Sequence, residues 1–367
     1  MEKTKGLFNP VSLGNTAVKN RVGVAPMTRI SATEEGYITD EMISYYTSFA
    51  EGGFGLVITE GTYIDDQYSQ AYYSQPGIAL EDQAHAWKRV ADSVHAAGAN
   101  IFMQLQHSGA LSQGNRFMSG TIAPSALQPK GEQLPFYLGQ GPFRTPREIT
   151  KTEIAGIIKS FSNAAVRAKS AGVDGVEIHG ANGYLLDEFL TDVTNQRSDE
   201  YGGSVENRVR LLVEIARAVR EAVGEEFTVG IRISQAKPND YAYKWTGKEQ
   251  DAAIIFEHLG KAGYDYIHIT EYEAWKPAFD SSETSLVSLA KQYSKLPIIA
   301  NGHLEDPERA AHMIENGDAD IVTIGKGALA NHDWVHKVQN GQQLLGFEAE
   351  KFLRPNAKLK DFEIERA

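Results

Sequence analysis

No cysteine occurs among the 367 residues. Its absence excludes disulfides, thiolate nucleophiles, cysteine-ligated iron–sulfur clusters and thiolate zinc sites together. Any redox chemistry on this chain therefore needs a bound organic cofactor or a metal held without thiolates. Basic charge is also scarce: 36 Lys and Arg stand against 48 Asp and Glu, a formal net charge of −12. That balance argues against nucleic acid as a partner, although it leaves room for a local pocket that takes one phosphate. No apolar run reaches the length that crosses a bilayer, and Met1-Glu2-Lys3-Thr4-Lys5 lacks the apolar core of a signal peptide. The expected compartment is therefore the cytoplasm. Finally, no strand-like run is followed by a G-x-G-x-x-G turn, the usual mark of a dinucleotide-binding doubly wound sheet.

What is present is an ordinary globular composition, 42% hydrophobic and 23% charged, with nothing that suggests disorder. Short β-rich apolar runs recur at 21–25, 56–59, 100–105, 175–179, 227–233, 266–270, 296–300 and 321–325. Helix-like segments lie between most of them. Thr150 with Glu153 makes a capping-box pattern, and Asp306-Pro307 sets a cap before Pro at the first helical position. Gly98, Gly172, Gly224 and Gly317 read as helix stops. Val205, Val209, Leu212, Ile215, Ala216, Val219 and Val223 recur at helical spacing, so they should lay one face on a sheet. Eight strand–helix units predict an α/β fold, a single (β/α)8 TIM barrel covering 1–367. The Pro- and Gly-rich stretch from Gly109 to Arg147 is too long for a plain connection after strand three and predicts a segment capping the barrel.

Polar residues tip three successive strands: Gln104, His179 and Arg232, each in an otherwise apolar run. Period-two alternation turns Gln104 with Phe102, His179 with Glu177 and Arg232 with Gly230 toward the barrel interior. Two readings fit this: one ligand gripped by three tips, or a polar cluster satisfied within itself. Glu177 fits a structural role, balancing a neighbour such as Arg232 on the adjacent strand. The run from Val176 to Tyr184 adds Asn182 and Tyr184 just beyond His179, where barrels bind ligands. Strand seven ends in Asn301-Gly302-His303 and strand eight in Gly325-Lys326-Gly327. These glycines either make tight turns or form a phosphate site of backbone amides, with Lys326 adding charge. Pro26, Met27 and Thr28 close strand one, and Gly61 follows strand two. Trp275 and Phe279, after strand six, are read as pocket walls. The aromatic stretches Tyr68 to Tyr73 and Tyr241 to Trp245 stay open between surface loop and stacking lid.

Together these residues resemble the old yellow enzyme family of FMN-dependent ene-reductases, from Leu7-Phe8 to about Trp334. The resemblance rests on Asn20-Arg21 leading to Ala25-Pro26-Met27-Thr28, on Gly52-Gly53-Phe54-Gly55-Leu56, and on Gln104-Leu105-Gln106-His107-Ser108-Gly109. It is strongest from Asp174 through Leu186 and on through Asn195 to Ser204 and Asn207-Arg208. The resemblance implies non-covalent FMN, with NADH or NADPH as reductant. Pro26, Met27, Thr28, Gly61, Gln104 and Arg232 would line the flavin, and Gly302, His303, Gly325 and Lys326 would hold its phosphate end. Thr28 would donate to the flavin C4 carbonyl and tune its potential.

His179 and Asn182 would hold a carbonyl, nitro or phenolate oxygen, and Tyr184 would protonate the α-carbon. The implied activity is ping-pong reduction of activated alkenes (enones, nitroalkenes, maleimides) or of nitro compounds by a monomer or homo-oligomer, with no metal. Two positions depart from the family pattern. Lys326 stands where Arg is usual, so phosphate binding loses a bidentate fork. Thr28 stands where one large subgroup has Cys. The family's larger members, with an iron–sulfur cluster and a second flavin domain, are not expected from a chain without cysteine. The competing expectation is a barrel lyase or isomerase without flavin that binds a phosphorylated substrate, with His179 and Glu177 as acid and base.

Overall fold

In the computed structural model, which describes residues 2–365, eight parallel strands close into a barrel. They are β1 (Val22–Val24), β2 (Leu56–Ile58), β3 (Asn100–Gln106), β4 (Gly175–Gly180), β5 (Thr228–Ile233), β6 (Tyr266–Thr270), β7 (Ile298–Asn301) and β8 (Ile321–Ile324). Each pairs with its neighbour in sequence, and β8 pairs back to β1, Thr323 opposite Gly23. The expected strands thus all form, with ends shifted by a residue or two.

The outer helices are α1 (Asp40–Glu51), α2 (Glu81–Ala96), α3 (Lys151–Ser170), α4 (Val205–Val223), α5 (Lys248–Gly260), α6 (Leu286–Ser294), α7 (Pro307–Glu315) and α8 (Trp334–Gln339). Their ends follow the local chemistry of the sequence. The Thr150 hydroxyl accepts the Glu153 amide at 3.2 Å while Glu153 accepts the Thr150 amide at 2.8 Å. Asp306 caps α7 through the Arg309 amide at 2.8 Å. All four expected stop glycines have positive φ, between 75 and 85°. The seven apolar positions expected on α4 are all buried. No helix among the described residues is long and apolar enough to cross a membrane.

Inside the barrel, Phe102 stacks on Tyr266 with centroids 5.7 Å apart, among Leu56, Ile58, Ile299 and Ile321. Gly230 faces this pair: a Cβ there would fall inside the Tyr266 ring. A hairpin of Val11–Leu13 and Thr16–Val18 plugs the N-terminal end of the barrel with Leu13 and Val18. The Thr228 hydroxyl anchors it, donating to the Leu13 carbonyl at 3.1 Å. Strands of three residues are too short to show a period, so this floor is invisible in the sequence.

The opposite end is the open one. The Gly109 to Arg147 segment lies over it as expected, with 3-10 turns at Gly109–Leu111 and Pro135–Tyr137 and a strand pair joining Ile122–Ala123 to Arg147–Glu148. A second cover was not expected. The chain after α8 returns across the mouth and is pinned by Glu363, whose carboxylate takes both Nη1 and Nη2 of buried Arg29 at 2.7 Å.

Candidate functional site

The strand tips and these covers enclose two adjoining cavities of about 310 and 260 Å³. Asn182, Pro238, Tyr241 and Lys326 line both, so they form one groove. The larger part brings together Pro26, Met27 and Thr28 from β1, Gly61 from β2, Gln104 from β3, Arg232 from β5, and His179, Asn182 and Tyr184 from β4. The smaller part is bounded by Gly302 and His303 after β7 and Gly325 after β8. The thirteen residues that the sequence assigned to cofactor or substrate therefore meet in one groove.

Their electrostatics follow from burial. The Glu177 carboxylate, fully buried, accepts from Gln104 Nε2 at 2.8 Å, from His268 Nδ1 at 2.8 Å and from Tyr266 at 3.2 Å. Burial opposes its charge, but His268, Arg232 and Gln104 together hold it below the usual carboxylate range. Glu177 is thus the internal counter-charge for Arg232, acting across space, with its hydrogen bonds going elsewhere. Burial drags the Arg232 guanidinium down to about 10, against the pull of Glu177, which still leaves it a cation. Its Nη2 donates to Asn301 Oδ1 at 2.8 Å, whereas its buried Nε has no partner. A charged donor left open in a cleft is a group awaiting an acceptor.

His179 is pushed down to about 3, by burial first and by Arg232 second, so it is neutral at physiological pH. Its Nδ1 accepts the Ala181 amide at 3.3 Å, which leaves the proton on Nε2. Asn182 sits in the left-handed region at φ 61°, which Asn tolerates better than most residues, and Gly183 follows at 78°. The turn is held by Asn182 N donating to Ser234 Oγ at 2.9 Å and Gly183 N to Asp187 Oδ2 at 2.7 Å, with Asp187 ion-paired to Lys237 at 2.8 Å. Among the described residues the Asn182 side-chain amide has no hydrogen-bond partner, and it faces the groove. Tyr184 packs edge-on to His179 at 4.9 Å.

In the smaller cavity Gly302 adopts φ 136°, and any side chain there would strike the Glu271 carbonyl. The His303 ring is turned away onto Tyr272, with Nδ1 donating to the Tyr272 carbonyl at 2.7 Å. Its contribution to the groove is therefore mainly backbone. A Cβ at Gly325 would meet nothing nearer than Met27 Sδ at 3.8 Å, so the groove has free space beside this turn. Lys326 is exposed at the rim, its Nζ 5.9 Å from the Phe347 ring.

Several wall residues went unread in the sequence. Tyr72 and Tyr137 line the larger cavity with rings 4.5 Å apart. Gln106 is there too, and its position on the same face of β3 as Gln104 was a usable period-two signal. The buried Glu60 carboxyl beneath accepts the Arg29 amide at 2.9 Å and the Tyr46 hydroxyl at 3.2 Å, and burial pushes it up to about 7.

The open aromatic stretches divide. Tyr72 is a wall residue, Tyr73 is exposed, Tyr241 is a rim residue 68% exposed, and Trp245 is core. Trp275 and Phe279 correct the expectation, since neither lines the groove: Trp275 packs under Arg309 at 3.9 Å and Phe279 is buried in the core. The loop after β6 folds back on itself, with Ala278 N donating to the Thr284 carbonyl at 2.9 Å, and both rings lie away from the groove.

A family profile described as NADH:flavin oxidoreductase / NADH oxidase matches residues 6–344. The chain belongs to that family. Its structure superposes on the old yellow enzyme homologue of Zymomonas mobilis with a TM-score of 0.88 and 30% identity, covering 98% of this chain and 99% of that one. A probable flavin mononucleotide-dependent alkene reductase of Leishmania infantum is 33% identical over 347 residues, 92% of this chain and 91% of that protein. An NADH oxidase of Thermoanaerobacter brockii is 35% identical over 347 residues, but the chain spans only 51% of its length. As an old yellow enzyme-type flavin oxidoreductase the chain uses FMN, with a nicotinamide as reductant. The groove fits that cofactor: the unpartnered Arg232 Nε, the buried Gln104 amide and the open space at Gly325 suit a polar ring system carrying an anionic tail.

Proposed function

We propose that this flavin oxidoreductase reduces carbon–carbon double bonds activated by a carbonyl, nitro or imide group, and nitro compounds, by ping-pong hydride transfer with Tyr184 as proton donor. One observation carries the reading: two open donors, His179 Nε2–H and the Asn182 amide, share one wall of the cleft with the Tyr184 phenol. Bound FMN supplies the hydride that it takes from NADH or NADPH. Pro26, Met27, Thr28, Gly61, Gln104 and Arg232 would border its ring system, and Gly302, His303, Gly325 and Lys326 its phosphate end.

Hydride arrival at the β-carbon builds negative charge on the activating group, and His179 and Asn182 would hold that oxygen and stabilise it. A neutral His179 donates one hydrogen bond there without becoming a competing acid. Burial raises the Tyr184 phenol above its ordinary value of about 10, so the proton is in place across physiological pH. From there it would pass to the α-carbon.

The test is the visible spectrum of the purified protein before and after a para-substituted phenol is added. A flavin spectrum that gains a long-wavelength charge-transfer band is the expected result. His179→Ala and Asn182→Ala should each weaken phenol binding by about 10- to 100-fold, the cost of losing a donor to a charged oxygen. Unchanged affinity would move the oxyanion site elsewhere, and a protein that stays colourless after FMN is supplied would contradict the reading.

Because His179 titrates near 3 in the folded chain, phenol affinity should show no inflection around pH 6.5, the ordinary value for His. Titration of affinity from pH 5 to 8 checks this, and a break near 6.5 would mean that the imidazole is charged there. The same depressed value means that folding keeps His179 neutral. Its contribution to stability is complete above about 6.5 and is lost as pH falls from there toward 3.

A further inference from the structure

The proton donor has a partner of its own. The Tyr72 hydroxyl lies 2.5 Å from the Tyr184 hydroxyl, and Tyr72 is buried against Tyr137. No other hydrogen bond engages the Tyr72 hydroxyl among the described residues. Tyr72 comes from the loop after β2, whereas Tyr184 follows β4, so the contact is set by the packing of two loops over the barrel mouth. Gln106 lines the same cavity, and its buried Nε2 has no hydrogen-bond partner among the described residues.

Resting on the reading of Tyr184 as proton donor, we propose that Tyr72 is a positioning residue that donates to the Tyr184 oxygen and stabilises the phenolate formed when Tyr184 gives up its proton, with the Gln106 amide as a second donor. The sense of the bond follows from the groups around it. The Tyr184 proton must point into the cleft to reach a substrate, so its oxygen is the acceptor and Tyr72 the donor. Tyr72 and Gln106 both favour the Tyr184 phenolate, working against burial, while the same contact disfavours the phenolate of Tyr72. The other groups facing the pair are the Arg232 cation, which also favours a Tyr184 phenolate, the neutral His179 ring and the Tyr137 phenol.

The step balances simply. The O–H bond of Tyr184 breaks, a C–H bond forms at the α-carbon, and the electron pair stays on the Tyr184 oxygen. There a neutral hydrogen bond from Tyr72 becomes a charge-assisted one. Solvent entering through the cleft then restores the proton. Such a bond strengthens only as charge develops, which is what a rate effect requires.

Tyr72→Phe should slow alkene reduction by about 10- to 100-fold relative to flavin reduction by NADH, the cost of one hydrogen bond to a charged group. In a Tyr184→Phe background the same change should add nothing, whereas additive losses would overturn the inference by showing that Tyr72 acts elsewhere. Labelling position 184 with 3-fluorotyrosine gives a readout that needs no turnover. Its fluorine resonance should titrate at higher pH after Tyr72→Phe than before, and an unmoved titration would refute the contact. Failure here is separable from failure of the donor assignment. If Tyr184→Phe alone spares alkene reduction, the donor reading falls. If it does not, yet Tyr72→Phe keeps the wild-type ratio, only this inference falls.

Discussion

Replacing Tyr184 with Phe is expected to slow alkene reduction by about 10²- to 10⁴-fold, the usual worth of a positioned general acid, while flavin reduction by NADH is spared. The asymmetry comes from which half of the cycle needs a proton. Hydride transfer from a nicotinamide forms no bond to a phenolic proton, whereas a reduced alkene must gain one at carbon. The His179 ring stays packed against position 184 in the variant, because Phe keeps the edge-on contact. Anaerobic stopped-flow with each substrate in turn separates the two half-reactions. An equal loss in both would assign Tyr184 to cofactor geometry and remove it from proton transfer.

The second large effect is on stability. Glu363→Ala should destabilise the chain by about 3–5 kcal/mol, because it strands a buried guanidinium without its counter-charge. Arg29 is 1% exposed, and its guanidinium keeps Nε to the Ala357 carbonyl at 3.0 Å and the Tyr45 ring at 5.1 Å. The Glu60 carboxyl that accepts its backbone amide is itself pushed up to about 7 by burial, which makes it a weak substitute for Glu363. Replacing both partners, Arg29→Met with Glu363→Leu, should recover most of the loss, since a buried pair exchanged for apolar volume is often neutral. Urea unfolding of the three proteins at one pH measures both steps. A loss below about 1 kcal/mol for Glu363→Ala would mean that the C-terminal stretch is not locked onto the barrel. The same variant should retain FMN less tightly, because Phe347 and Leu353 on that stretch wall the cleft.

The eight strands and the capping chemistry of α3 and α7 were legible because they are local: a run of β-branched residues, a Thr three residues before a Glu, an Asp before a Pro. The thirteen groove residues were legible because barrel geometry sends every strand tip to the same end. What escaped detection depends on distance along the chain. Arg29 and Glu363 are separated by 334 residues, and nothing near either one announces the other. Tyr72 looked like one aromatic among several, since its role depends on how two loops pack. Trp275 and Phe279 show the converse. Following a strand tip does not place a residue in the pocket when the loop folds back on itself and packs it elsewhere.

The plugged floor bears on how the molecule handles traffic. With the hairpin and the Phe102–Tyr266 pair filling one end, the groove opens at the other among the described residues. In the ping-pong cycle proposed above, reductant and oxidant would take turns at that entrance. An excess of alkene should therefore block its own turnover, so that velocity rises, peaks and declines as its concentration grows, and added NADH restores the speed.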